Sequence, residues 1–348
     1  MTDTLAAQAL TAADAGLICG WRFFTDASEP AEVVNALSAA EWLQRHSAGD
    51  ASPRDFLWLH FNLSNALSLR WLERHADLPD EFYAALREGV TATRLERSDD
   101  ALVAVLNDVN FEFNYESADI ATLWICVNER LVVTARTRPL RSVDDLRAAV
   151  RQGDSPASTA ELLEHLMRTQ ADVLVKVVRE TTARVDHIED AIIAQRYHHH
   201  RSQLGSLRRL LVRLQRLLAP EPAALFRLLQ RPPAWMSEDD RQGLASASEE
   251  FSLMLRDMQT LQDRIKLLQE EVAAAVNEDN NKSLFVLTVV TVLALPINIL
   301  AGLFGMNVGG IPLAEHAHGF WIVVSLVFTF TVIAAWAAFW RKRRDTRR

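Results

Sequence analysis

Along one stretch of this 348-residue chain, side chains able to meet a cation recur at alternating steps of three and four. The series runs Asp263, Leu267, Glu270, Ala274, Asn277, Asn281, Leu284, Thr288, Thr291, Leu295, Asn298, Gly302 and Gly305. That spacing places all of them on one face of a helix. The upper members lie in an apolar run, where a polar side chain costs free energy unless it meets a partner or water. Two chemistries satisfy Thr288, Thr291 and Asn298. They can hydrogen-bond between helices, or, if several copies surround a shared axis, they can form stacked rings of amide and hydroxyl oxygens above the carboxylates of Asp263 and Glu270. Rings of this kind select cations. Neutral oxygens do not readily strip water from a divalent ion, but they hydrogen-bond to its hydration shell. Leu284 and Leu295 would then be constrictions that gate by dewetting; otherwise they are ordinary lipid or helix contacts.

A second group of ligand types is Glu315, His316 and His318, one carboxylate and two imidazoles that suit zinc better than magnesium. They either attract metal or are simply solvated. His198, His199 and His200 are consecutive, so on a helix they point in different directions and do not make a single three-ligand site. No phosphate-cradling glycine loop, nucleophile elbow or paired metalloprotease histidines occur, and the reading is not that of an enzyme. The only cysteines, Cys19 and Cys126, each sit in an apolar run and read as core residues of a reducing compartment.

The elements that must position the polar stripe follow from hydropathy. Ser283 to Phe304 and Gly319 to Trp340 are uncharged apolar runs of 22 residues each, separated only by GMNVGGIPLAEHAH. At about 1.5 Å per residue each reaches about 33 Å, enough to cross a bilayer core of about 30 Å. The tail RKRRDTRR holds six cations and one anion, which keeps the C-terminus cytoplasmic by the positive-inside rule. With two spans the N-terminal part is cytoplasmic too, and the opening MTDTLAAQAL has neither the basic nor the apolar region of a secretory signal. The formal net charge is −8, yet residues 1–282 hold 31 basic and 43 acidic side chains, a balance of −12. That sign argues against nucleic acid as a partner.

The first half reads as mixed α and β, with strands over Leu17 to Phe24, Phe56 to Leu63, Leu102 to Leu106 and Leu123 to Thr134, the last a hairpin turning at Asn128 and Glu129. Helices are expected over Ala31 to Arg45 and Leu67 to Glu88. From Ser158 the chain reads as helical: Thr159 to Tyr197, then Ser206 to Leu218 ending at Pro220 and Pro222. A third helix starts near Ser237 with Glu238, Asp239 and Asp240 in its first turn and meets no breaker before Pro296, giving one helix of about 67 residues. In it Phe251, Met254, Met258, Leu261, Ile265, Leu268, Val272 and Ala275 form an apolar seam one residue out of phase with the polar stripe. Arg208, Arg209, Arg213 and Arg216 read as a solvated face or a partner for acidic surface.

The tripeptide Gly305, Met306, Asn307, directly after the first of two C-terminal spans and followed by a short loop, a second span and a basic tail, resembles the CorA superfamily of divalent cation transporters. The continuation VGGIP and the segment ATRLERSDDALVAVLNDVN resemble the zinc-transporting ZntB branch. The resemblance implies an α+β cytoplasmic domain followed by long helices and a two-helix transmembrane hairpin, assembled as a CorA-like funnel-shaped homopentamer. It divides the chain into a cytoplasmic α/β domain (1–157), a helical funnel and stalk (158–282), a pore-lining span (283–304), an external loop (305–318), a second span (319–340) and a basic cytoplasmic tail (341–348). Gly305, Met306 and Asn307 would form the pore mouth. Asn281, Leu284, Thr288, Thr291, Leu295, Asn298 and Gly302 would line the pore, Asp263 and Glu270 would form acidic rings below it, and Arg341 to Arg344 a cationic collar. The partners expected are divalent metal ions, the lipid bilayer and further copies of the chain, with no cofactor beyond transported Zn2+. The location expected is the inner membrane, multi-pass, with both termini cytoplasmic. Magnesium, cobalt or nickel transport in the same architecture is the alternative, and a membrane-anchored metal sensor or scaffold is an alternative of another class.

Overall fold

The computed structural model describes residues 15–24, 30–46, 55–89, 91–110, 120–194, 196, 200–306 and 318–345. The chain falls into two compact units, Met1–Gln269 and Glu270–Arg348.

The first unit is built on a seven-stranded sheet of β1 (Leu17–Phe23), β2 (Glu32–Val33), β3 (Phe56–Asn62), β4 (Arg94–Ser98), β5 (Ala101–Val109), β6 (Ile120–Val127) and β7 (Leu131–Arg136), in the order β2-β1-β3-β7-β6-β5-β4. Only the β3–β7 pair is parallel, with Leu59 opposite Val133; every other pair is antiparallel. Strand side chains alternate between two buried faces, which is why the strands read as nearly continuous apolar runs. Phe56, Trp58, Leu102, Ala104, Leu123 and Ile125 face one core, completed by α4 (Arg141–Arg151), the start of α5 (Thr159–Ile193) and α7 (Pro220–Leu229). Leu57, Leu59, Phe61, Val103, Val105, Trp124 and Val133 face the other, under α1 (Ala36–His46), α2 (Ala66–His75) and α3 (Asp80–Glu88).

Several expected boundaries move. The helix expected over Leu67 to Glu88 is two helices, because Ala76 is extended and Pro79 begins the second with φ −58° and ψ 146°. The helix expected from Ala31 begins at Ala36, since Glu32–Val33 pairs with β1 as a short edge strand capped off by Asn35, whose Oδ1 accepts from the Ser38 amide at 2.9 Å. β4, sequence RLERS, carries no apolar alternation because it is a charged outer strand. α6 runs His200–Leu218, so Gly205 lies inside it, and Pro220 and Pro222 begin α7, where the first turn has no use for their missing amides. α8 (Glu238–Phe304) is a single helix of 67 residues, and α9 covers Gly319–Asp345.

Buried polar groups tie the first unit together. His60 Nε2 accepts from Arg136 Nε at 3.0 Å, so its Nδ1–H donates to Thr134 Oγ1 at 2.8 Å, and burial with two nearby arginines holds the ring neutral. On the same side of the sheet Glu221, at the start of α7, accepts from the Asn107 amide at 3.2 Å and from Gln170 Nε2 at 3.2 Å. Asp108 next to it accepts from the Ser142 amide at 3.1 Å and from the Val109 amide at 2.7 Å. Burial pushes the Asp108 carboxyl up to about 6 and Glu221 well above the usual carboxylate range.

Candidate functional site

The polar stripe depends on where α8 starts, which way it turns and where it stops. Its start is a reciprocal cap: Ser237 Oγ accepts from the Asp240 amide at 3.0 Å, and Asp240 Oδ2 accepts from the Ser237 amide at 3.0 Å. Glu238, Asp239 and Asp240 in the first turn complement the helix dipole. The apolar seam sets the rotation. Phe251, Met258, Leu261, Ile265, Leu268 and Val272 are buried, and Met254 and Ala275 half-buried. Gln259 and Gln262 meet Gln215 of α6 at 2.6 and 2.9 Å, and Arg264 meets Asp186 of α5 at 2.7 Å and Glu189 closely.

With the seam buried, the second register is turned outward. Asp263, Leu267, Glu270, Ala274, Asn277, Asn281, Leu284, Thr288, Thr291, Leu295, Asn298, Gly302 and Gly305 are all exposed in the single chain. Asp263 Oδ1 accepts from Gln259 Nε2 at 3.4 Å. Lys282, beside Asn281, is drawn to Glu278 at 2.9 Å and Asp279 at 3.6 Å, which offsets the one cation at this level. Thr288 and Thr291 donate to the carbonyls of Leu284 and Leu287 at 2.7 and 2.9 Å. Their hydroxyl protons are thereby used, and what each oxygen offers outward is its lone pairs. A face of acceptors fits the outward-pointing hydrogens of water held around a cation.

α8 passes through Pro296 and stops at Phe304, where the Gly305 amide donates to the Ala301 carbonyl at 2.9 Å and Met306 follows, half exposed. No part of the most apolar 18-residue window of α8 is buried. Phe285, Val289, Leu293, Ile297 and Leu300 of α8 and Val323, Val327, Thr331 and Ala334 of α9 are half-buried at helical spacing, so each helix has one shaded face, distinct on α8 from the polar stripe. Elsewhere Val286, Val290, Phe320, Trp321 and Phe328 are exposed, an apolar surface suited to lipid or to other helices. His318 is exposed and its carbonyl accepts the first α9 amide, from Ile322, at 3.2 Å. Asn307, Glu315, His316, His198 and His199 lie outside the described residues; His200 opens α6, its Nδ1 2.8 Å from Gln203. Arg341 to Arg344 lie in the last turns of α9. Among the described residues no group of three or more His, Cys, Asp or Glu is placed to hold a metal ion.

Sequence reasoning missed the carboxyl cluster of Asp108 and Glu221. Its members are 113 positions apart, and nothing in local spacing announces a contact between β5 and α7. Pro220 and Glu221 together, a proline and an acid opening a helix, were the one available signal.

These features define an α+β unit followed by a long helix whose apolar end, with a second apolar helix, is long enough to cross a bilayer. The family model for CorA-like Mg2+ transporter protein matches residues 53–343, and the chain belongs to this family of divalent cation transporters, which are not enzymes. It is 29% identical over 280 residues to the divalent cation transporter CmaX of Pseudomonas aeruginosa, covering 80% of this chain and 84% of that one. It is 26% identical over 293 residues to the zinc transport protein ZntB of Yersinia pestis, covering 84% and 88%. Its fold matches the full-length CmaX structure with a TM-score of 0.74 at 27% identity over 95% of this chain and 98% of that one. It also matches the CorA magnesium transporter of Methanocaldococcus jannaschii with a TM-score of 0.73 at 17% identity, over 92% and 97%.

Proposed function

We propose that this chain conducts divalent cations, zinc foremost, as a multi-pass inner-membrane homopentamer whose α8 helices surround a shared aqueous path. The observation that carries the reading is the pair of registers on α8. One is buried within the subunit, and the other, holding Asn281, Thr288, Thr291 and Asn298, is left open by every described element of its own chain. Polar groups at membrane depth need partners or water, and a ring of copies supplies both. Asn307, with Gly305 and Met306, captures the hydrated ion at the outer mouth; Leu284 and Leu295 form the dry constrictions; Asp263 and Glu270 concentrate cations below. Both termini are cytoplasmic, as the basic tail after Trp340 favours.

Zinc is preferred over magnesium, cobalt or nickel because Glu315, His316 and His318 bring imidazole to the outer loop and because zinc transport proteins are among the relatives. The test is uptake into proteoliposomes holding the purified chain, with zinc, magnesium, cobalt and nickel in competition at several internal and external pH values. Zinc uptake that magnesium does not displace supports the reading. Magnesium uptake unaffected by zinc replaces the substrate, and no flux of any metal returns the chain to a tethered sensor or scaffold.

A further inference from the structure

A buried guanidinium of the first unit lacks its counter-charge. Arg136, the last residue of β7, is 8% exposed. Its Nε donates to the neutral ring of His60 at 3.0 Å, and among the described residues its two terminal nitrogens meet neither an acceptor nor a carboxylate. Buried charges are ordinarily paired, because an isolated one gives up its hydration with nothing in return. Burial holds Arg136 below the usual arginine pKa, against the pull of Asp144. A carboxylate in contact, as Glu189 is with Arg264, pushes the other way.

The surroundings add cations. In the register of β1, β3 and β7, Cys19 is opposite His60 and His60 opposite Thr134, so Cys19, His60, Thr134 and Arg136 share the side of the sheet that α4 covers. From α4, Arg147 lies beside the Cys19 thiol, and its Nε is buried without a partner among the described residues. Its Nη1 takes Asp144. The neighbouring acids are engaged elsewhere: Asp108 accepts from the Ser142 and Val109 amides, and Asp145 is 3.8 Å from Lys176. Cys19 brings no negative charge, since burial pushes its thiol up to about 12. From Arg136 to Arg151 the chain holds five arginines and two aspartates, a balance of +3 inside a stretch, residues 1–282, whose balance is −12.

The donors point to the kind of anion that would complete the cluster. Arg136 ends a strand and Arg147 stands on a helix, so their forks come from different elements. One planar carboxylate is met by one fork, whereas a tetrahedral oxyanion offers oxygens in several directions at once. The turn that follows Arg136, Thr137 to Pro139, is exposed, so the cluster borders solvent.

We infer that Arg136 and Arg147 form a binding site for a phosphate-class oxyanion, either free phosphate or the phosphate of a nucleotide, with Arg151 at its edge. The inference uses β1, β3, β7 and α4 alone and is independent of the homo-oligomeric reading.

The test uses the full chain in detergent, freed of metal with a chelator and titrated with inorganic phosphate, a nucleoside monophosphate or acetate at matched ionic strength. Binding is read by calorimetry and stability by the unfolding midpoint. Inorganic phosphate is expected to bind and to raise the midpoint, and Arg136→Gln and Arg147→Gln are each expected to weaken binding about tenfold or more. Without phosphate, Arg136→Gln is expected to unfold no earlier than the unaltered chain, because an unpaired buried charge is removed with the guanidinium. If Arg136→Gln does not fold, Arg147→Gln, at a partly exposed position, decides through binding. Tighter binding of the nucleoside monophosphate than of inorganic phosphate supports a nucleotide as the source, and equal or weaker binding supports free phosphate. The inference is overturned by an absence of phosphate binding, by binding that both variants retain, by acetate binding as tightly as phosphate, or by an Arg136→Gln midpoint lowered equally with and without phosphate.

Discussion

Thr288 donates its hydroxyl proton to the Leu284 carbonyl of its own helix, 2.7 Å away, and so presents an acceptor to whatever lies outside. Thr291 does the same one turn on, through Leu287. Each hydroxyl is satisfied before any ion arrives, which keeps the helix intact at membrane depth and leaves a surface of fixed polarity.

Replacing Thr288 and Thr291 with valine keeps shape and removes those acceptors. Metal flux in proteoliposomes is expected to fall several-fold, on the scale of one to two hydrogen bonds lost to a hydration shell at about 0.5–1.5 kcal/mol each. Subunit number is expected to stay unchanged. If valine instead dissociates the oligomer, the hydroxyls serve as contacts between helices.

On the capture role proposed for Asn307, Asn307→Ala is expected to abolish most uptake at low metal concentration, with partial recovery at high concentration, because capture precedes passage. Initial rates across a metal titration check this. Rates indistinguishable from the unaltered chain remove Asn307 from the path.

Asp108 carries a pH dependence whose sign follows from its environment. Its carboxyl is raised from 3.8 to about 6 by burial, so the folded chain binds this proton more tightly than the unfolded one. Its contribution to stability is greatest below the unfolded value and is lost as pH rises from about 4 to about 6. Asp108→Asn is expected to flatten that slope, measured as the midpoint of thermal unfolding in detergent by tryptophan fluorescence. A slope unchanged in the variant assigns it to other groups.

Glu221→Ala leaves the buried Asn107 amide and one Gln170 proton without an acceptor. A loss on the order of 1–3 kcal/mol is expected for such unsatisfied groups, read in the same unfolding experiment.

Gly16 has φ +66°, and a β-carbon there would lie 2.0 Å from Ser68 Oγ. Ser68 in turn donates to the Asn62 carbonyl at 2.6 Å, so it is not free to retreat. Gly16→Ala is expected to cost about 1–2 kcal/mol or more. An unchanged unfolding midpoint would show that the turn before β1 relaxes around the methyl group.

What the sequence disclosed and what it hid divide along physical lines. The length of α8, its two registers and the apolar pair were legible because each rests on local periodicity, with the seam from Phe251 to Val272 buried and the stripe from Asn281 to Gly302 exposed. β3 and β7 were legible as strands, yet their parallel pairing was not, because Leu59 meets Val133 from 74 positions away along the chain. β4 escaped because an edge strand with Arg94, Glu96 and Arg97 has the composition of a loop. α7 escaped because Pro220 and Pro222 end one helix and begin another, and the same residue type serves both ends. The polar stripe was readable as a face, while the neighbours proposed for that face belong to other copies and leave no mark on one chain's spacing.

The last strand of the sheet, β7, ends at Arg136, whereas the first apolar stretch of membrane length begins near Ser283. A ribosome therefore releases the entire sheet, including the late-arriving central strand that joins its two halves, long before it makes the segment that must be handed to the membrane. The sheet-bearing half can finish folding while the apolar half does not yet exist, so the two never compete for the same nascent surface.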